Sequence, residues 1–158
     1  MRRLHSSGRG HAGLASSSLR SCPVYLARYL SIAAVFGFLA ILLGTLAEYA
    51  LRPRVDAESF RYLMTATRYL QVHAVALLVI AVALLCAPTL PTHLQRGLRT
   101  SFALLLGGTA LFAGSIFVAV ASGIEAITYL TPVGGSLMML AWLWMATAAW
   151  RSTRTPHP

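Results

Sequence analysis

Four apolar stretches recur along the chain, at residues 29–50, 69–87, 100–123 and 132–150, and only Glu48 in the first of them carries a charge. At a rise of about 1.5 Å per residue, roughly 19 residues cross a hydrocarbon core of about 30 Å, so each stretch is long enough to span. Their Leu, Ala and Val content lacks the alternation of a barrel strand, and backbone groups in lipid must satisfy one another within a helix. The pattern predicts an all-α fold, a four-helix transmembrane bundle.

The connections have their own character. In residues 55–67, Asp56 is placed as an N-cap, and Phe60, Leu63, Met64 and Thr67 follow helical spacing, which predicts an interfacial helix or an extension of helix two beyond the membrane. The link 88–99 is polar and holds proline. The link 125–131 is so short that helices three and four must form a tight antiparallel hairpin, with Thr131 as N-cap, Pro132 at the first helical position and Arg151 ending the helix.

Composition agrees with this reading. Charged residues make up 11% of the chain, against roughly 25% in a soluble domain. The net charge of +9 comes from thirteen basic residues, all arginine, set against four acids. Nucleic acid is excluded as a partner, because the chain offers almost no folded polar surface to carry a basic patch. Cys22 and Cys86 lie in a polar tail and an apolar run, which suggests neither a disulfide framework nor a zinc cluster. With both termini inside, Arg2, Arg3, Arg9, Arg20, Arg28, Arg96, Arg99, Arg151 and Arg154 lie on the inner side, and Arg52, Arg54, Arg61 and Arg68 outside. Nine against four places both termini on the cytoplasmic or matrix side. Residues 1–27 form a polar, Arg/Ser-rich tail, read as disordered; its composition suits either a cytoplasmic extension or a mitochondrial transit peptide. Residues 151–158 form a second tail after the membrane domain of residues 28–150.

Small residues fall on stripes. Ala33, Gly37, Ala40, Gly44 and Ala47 share one face of helix one, and Ala103, Gly107, Ala110 and Gly114 repeat the spacing in helix three. Such stripes let backbones approach closely within a monomer or between protomers. Gly134 and Gly135 are read the same way, because they follow no strand and precede no Lys-Ser or Lys-Thr pair of a phosphate loop.

Three ordered segments carry a resemblance. Arg68-Tyr69-x-x-x-His73-Ala74-x-Ala76-Leu77-Leu78, Leu111-Phe112-Ala113-Gly114-Ser115, and Thr131-Pro132-Val133-Gly134-Gly135 with Ala141-Trp142 together resemble the YgdD-like family of small membrane proteins, which includes the eukaryotic transmembrane protein 256. The resemblance runs from about Arg28 to Trp150. It implies a four-helix protein of the bacterial inner membrane, or of a mitochondrial inner membrane in eukaryotic relatives, in a family without an established activity. Where the family reads Gly-Ala-Phe-Gly-Ala-His-Gly-Leu at the end of helix one, this chain reads Gly44-Thr45-Leu46-Ala47-Glu48-Tyr49-Ala50-Leu51. Tyr49 replaces the family histidine.

His73 is the one histidine within an apolar run, and an ionisable group there faces the bundle interior by default. Glu48, Tyr69, His73, Glu125 and Thr131 all fall towards the non-cytoplasmic end, which predicts one polar cluster with Glu48 as the acidic neighbour of His73. Against it stands a neutral imidazole bonded across helices to fix register, and for Glu48 an interfacial anchor pairing with Arg52. Trp150 is read as an interfacial belt residue and Trp142 as a packing residue of the hairpin. Two-histidine haem ligation lacks a second membrane histidine, since His5, His11, His93 and His157 lie in tails or a loop. No cofactor, metal or catalytic set is expected. The expected role is a non-enzymatic accessory, assembly or structural component contacting the lipid bilayer, and other membrane subunits or copies of itself. The rivals are a small transporter or proton-linked channel, and a lipid- or quinone-binding subunit.

Overall fold

The structure is a computed structural model, and it describes residues 24–86 and 90–154. Residues 1–23, 87–89 and 155–158 lie outside the described residues, and with them the expectations for Cys22 and for most of the N-terminal tail.

Helix α1 runs Val24–Leu46, α2 Ala57–Cys86, α3 Thr92–Ser122 and α4 Thr131–Arg154. Each is long and apolar enough to cross a membrane, and no strand occurs among the described residues. Pro53 explains the end of α1, because it lacks the N–H that would continue the ladder. Ahead of it the chain widens into a π-helical turn, Ala47–Leu51, with the Arg52 N–H on the Ala47 carbonyl, and then tightens into a 3-10 turn over Arg52–Arg54. Val55 is extended, and Asp56 starts the next helix as predicted. Its carboxylate accepts the N–H groups of Glu58 at 2.8 Å and Ser59 at 2.9 Å.

Residues 55–67 thereby take the second of their two expected forms, a continuous extension of helix two. Helix α3 likewise starts before its apolar run. It ends where Gly123 takes a left-handed φ of 71° and its N–H closes on the Ala119 carbonyl, a conformation that costs glycine little. Two boundary expectations are corrected. Thr131 is not a non-helical cap, because a 3-10 helix over Glu125–Leu130 feeds α4 directly and Thr131 has helical φ and ψ. Arg151 does not end α4, which continues to Arg154.

Helices α2 and α3 form the centre; α1 packs mainly on α2 and α4 on α3. A seven-residue repeat runs along each helix at the contacts. The buried residues include Ala33 and Ala40 in α1 with Ala47 in the π-helical turn after it; Leu63, Leu70, Leu77 and Leu84 in α2; Ser101, Gly108 and Ser115 in α3; and Gly134, Ala141 and Ala148 in α4. A seven-residue period keeps the same seam facing the partner along a helix and is the signature of left-handed packing. The opposite faces of α1, α2 and α4 expose Val35, Phe38, Ile41, Val72, Val79 and Leu143, as a lipid-facing surface requires.

Candidate functional site

His73 follows Leu70 by three residues and so shares its inward face; it is 5% exposed. Its Nδ1 lies 2.8 Å from the Tyr69 carbonyl oxygen and its Nε2 3.4 Å from Trp142 Nε1 on α4. An indole N–H only donates, so Nε2 accepts, and Nδ1 carries the proton donated to Tyr69. The partners select the neutral Nδ1–H tautomer. The Tyr69 ring stacks on the imidazole with centroids 5.9 Å apart and touches Phe112 of α3 at 4.9 Å. This aromatic layer ties α2, α3 and α4 together. His73 therefore points inward and bonds another helix, as expected, but its partner is the indole of Trp142. That tryptophan is accordingly more than a packing residue of the hairpin.

The expected cluster of five residues divides into separate groups. Glu48 pairs with Arg52, one turn along the same segment, and the Arg52 guanidinium lies 5.3 Å over the Phe60 ring. The carboxylate thus takes the arginine and not His73, because an i,i+4 partner is reached without crossing the bundle. The interfacial anchor is the observed form of Glu48. Tyr49, in place of the family histidine, is exposed. Thr131 Oγ1 lies 2.8 Å from Ser115 Oγ, which donates to the Phe112 carbonyl at 2.9 Å, so Thr131 is the donor between them. Glu125 and Thr131 line one crevice of about 790 Å³ with Asp56, Glu58 and Tyr62, whose lining includes none of Tyr69, His73, Phe112 and Trp142. Bonds from the Ser59 N–H and hydroxyl hold the Asp56 carboxyl below its ordinary value.

The small residues sort by helix. On the stripe of α1 and the turn after it, Ala33, Ala40 and Ala47 are buried, and a Cβ on Gly44 would come within 2.9 Å of Thr67 Cγ2, whereas one on Gly37 meets nothing within 4 Å. In α3 the predicted stripe turns away from the monomer: Ala103, Gly107 and Ala110 are exposed, and Cβ atoms on Gly107 and Gly114 meet nothing within 4 Å. It makes no close contact inside the monomer, so of the two expected forms the one within the monomer does not hold for α3. The close contact lies one residue further along. A Cβ on Gly108 would stand 3.0 Å from the Gly134 carbonyl oxygen, and one on Gly97 would collide with the Ala148 methyl. Ser101 Oγ donates to the Ala141 carbonyl at 3.1 Å across the same seam. Gly134 packs tightly there, while a Cβ on Gly135 would make only an ordinary contact with the Phe112 ring at 3.9 Å.

Sequence reasoning missed Gly97, Ser101, Gly108 and Ser115. The signal was present as the seven-residue spacing of Ser101, Gly108 and Ser115 against Gly134, Ala141 and Ala148. Thr109 was missed as well; its hydroxyl is fully buried and has no hydrogen-bond partner among the described residues.

Comparison with known proteins agrees with this architecture. The family described as Protein of unknown function (DUF423) matches residues 43–135. The chain is 27% identical over 125 residues to a UPF0382 membrane protein of Haemophilus influenzae, covering 79% of this chain and 95% of that one. It is 29% identical over 125 residues to the UPF0382 inner membrane protein YgdD of Escherichia coli K12, covering 79% and 91%. Identity to the UPF0382 membrane protein YwdK of Bacillus subtilis is 24% over 123 residues, covering 77% and 94%. No solved structure matches.

Proposed function

Because the chain belongs to the DUF423 family, we propose that this multi-pass membrane protein is a non-enzymatic accessory or assembly component of a complex in the bacterial inner membrane. The observation that carries the reading is the outward face of α3. Where α1, α2 and α4 present bulky apolar side chains to lipid, the middle of α3 presents Ala103, Gly107 and Ala110, with open space above Gly107. Bulky side chains already suit fluid acyl chains, whereas a strip without them lets a second helix backbone approach closely. The occupant is a helix of another subunit or of a second copy. Interior polar groups point the same way, since His73, Ser101 and Ser115 are engaged by partners within the bundle that fix its register.

The location follows the E. coli relative, which is named an inner membrane protein. The positive-inside rule turns both termini to the cytoplasm, nine arginines against four.

Thiol cross-linking in native membranes tests the reading. In a chain carrying Cys22→Ser and Cys86→Ser, Ala110→Cys should cross-link to a second polypeptide, and Val79→Cys on the bulky face of α2 should not. Mass analysis of the product separates another subunit from a second copy. Equal cross-linking at both positions, or none at Ala110→Cys, overturns the proposal.

A further inference from the structure

The end of the bundle that carries the start of α1 and the end of α4 differs electrically from the other. All four carboxylate side chains of the chain, Glu48, Asp56, Glu58 and Glu125, belong to the opposite end, where Glu48 and Glu58 pair with Arg52 and Arg61. The terminal end holds arginines, Arg96 and Arg151 among them, and none of the chain's four side-chain carboxylates.

Two of these arginines face one crevice. Between the first turns of α3 and the last turns of α4 lies a space of about 430 Å³, lined by Thr92, His93 and Arg96 from one helix and Trp144 and Arg151 from the other. Its walls are fixed. Gly97 and Ala148 also line it, packed so closely that a Cβ on Gly97 would collide with the Ala148 methyl. His93 Nε2 bonds Ser152 Oγ at 2.9 Å, joining the two helices; that hydroxyl itself donates to the Ala148 carbonyl at 3.0 Å, so His93 is the donor. At the lip, α3 begins after Pro91 without a side-chain cap, which leaves the positive end of its dipole uncompensated.

We propose that this crevice binds a phosphate anion, carried by the headgroup of an anionic glycerophospholipid. Guanidinium groups match phosphate oxygens in a two-pronged geometry, and neither Arg96 nor Arg151 is in an ion pair among the described residues. The surroundings favour a lipid over a soluble ion. Trp144, half exposed in the crevice wall, has the amphipathic ring that settles at headgroup depth. One turn earlier on the same face, exposed Leu140 continues the path into the hydrocarbon and offers a track for an acyl chain. Trp144 and Leu140 make the site a lipid site, and the arginines make it selective for negative headgroups.

The test uses the full chain in mild detergent, with native mass spectrometry reading retained lipid and thermal unfolding reading protection. The probes are phosphatidylglycerol, phosphatidylcholine and inorganic phosphate. Wild type should retain phosphatidylglycerol in preference to phosphatidylcholine. Removing arginine near a membrane surface weakens anionic-lipid binding roughly fivefold per residue. The double variant Arg96→Gln/Arg151→Gln should therefore lose roughly 25-fold in phosphatidylglycerol affinity. Arg54→Gln/Arg68→Gln, with the same charge removed at the other end, should keep wild-type retention. If inorganic phosphate alone protects the wild type as well as phosphatidylglycerol does, the lipid assignment fails and the site belongs to a soluble phosphate. Equal losses in the two double variants, or no preference between the lipids, overturn the site altogether.

Discussion

Gly134 sits so close to Gly108 across the α3–α4 seam that a Cβ on Gly134 would stand 2.7 Å from the Gly108 carbonyl oxygen and 2.5 Å from the Phe112 nitrogen. Both neighbours are backbone and neither can swing aside. Gly134→Ala should therefore cost about 1–3 kcal/mol, as overpacking does. The adjacent Gly135→Ala, whose nearest neighbour would be 3.9 Å away, should be neutral or gain up to about 1 kcal/mol from helix propensity. Thermal unfolding of both variants in one detergent checks the contrast, and equal effects would refute the register.

The tautomer of His73 is a second expected outcome. With Trp142 donating to Nε2 and Tyr69 accepting from Nδ1, nitrogen NMR of the labelled imidazole should report a neutral ring protonated at Nδ1. Trp142→Phe removes the donor to Nε2 but leaves the Tyr69 carbonyl holding the proton on Nδ1, so the ring should stay Nδ1–H, at a stability cost near the ~0.6 kcal/mol typical of interhelical bonds in membranes. An Nε2–H ring in the wild type would contradict the aromatic layer.

Thr109 carries a buried hydroxyl without a partner among the described residues. Replacing a buried, unbonded hydroxyl by a methyl of the same shape removes a desolvation cost, so Thr109→Val should stabilise by about 1 kcal/mol. A loss of that size on unfolding would mean that the hydroxyl is bonded after all.

Asp56 gives a pH-dependent outcome. Its folded value is lowered, first by the Ser59 N–H, so its contribution is present above the ordinary value of 3.8 and is lost as pH falls through the still lower folded value. Hydrogen exchange at the Glu58 and Ser59 amides should stay slow down to that range and rise below it. Asp56→Ala should raise exchange at every pH, and Asp56→Asn, which keeps an acceptor, should hold it low at acid pH. Exchange of the wild type unchanged across the titration would dismiss the cap.

The membrane-spanning core was legible because hydrocarbon thickness and apolar run length are directly comparable. Helix ends were not, since Glu58 and Arg61 of α2 and Arg96 of α3 lie beyond the apolar runs, where nothing stops a well-capped helix from continuing. The stripes were legible in kind but not always in phase. On α3 a one-residue shift separates outward Gly107 from buried Gly108, and only the matching repeat on α4 decides between them. Glu48 was read in a cluster with His73 because both fall near one end of the bundle, yet Arg52 was already one turn away. Depth in a membrane can be counted along a chain, whereas azimuth around the bundle depends on packing.

Those neighbouring glycines offer the most direct measurement. Gly107→Leu and Gly108→Leu should be compared for thermal stability and for native mass in mild detergent extracts. Gly107→Leu should unfold at the wild-type temperature, because nothing lies within 4 Å of its Cβ, and yet fall from the mass of the wild-type assembly to that of the single chain. Gly108→Leu should lose stability outright. A wild type that already runs as a single chain, or a Gly107→Leu variant that keeps the wild-type assembly, would contradict the proposal that α3 docks a partner helix.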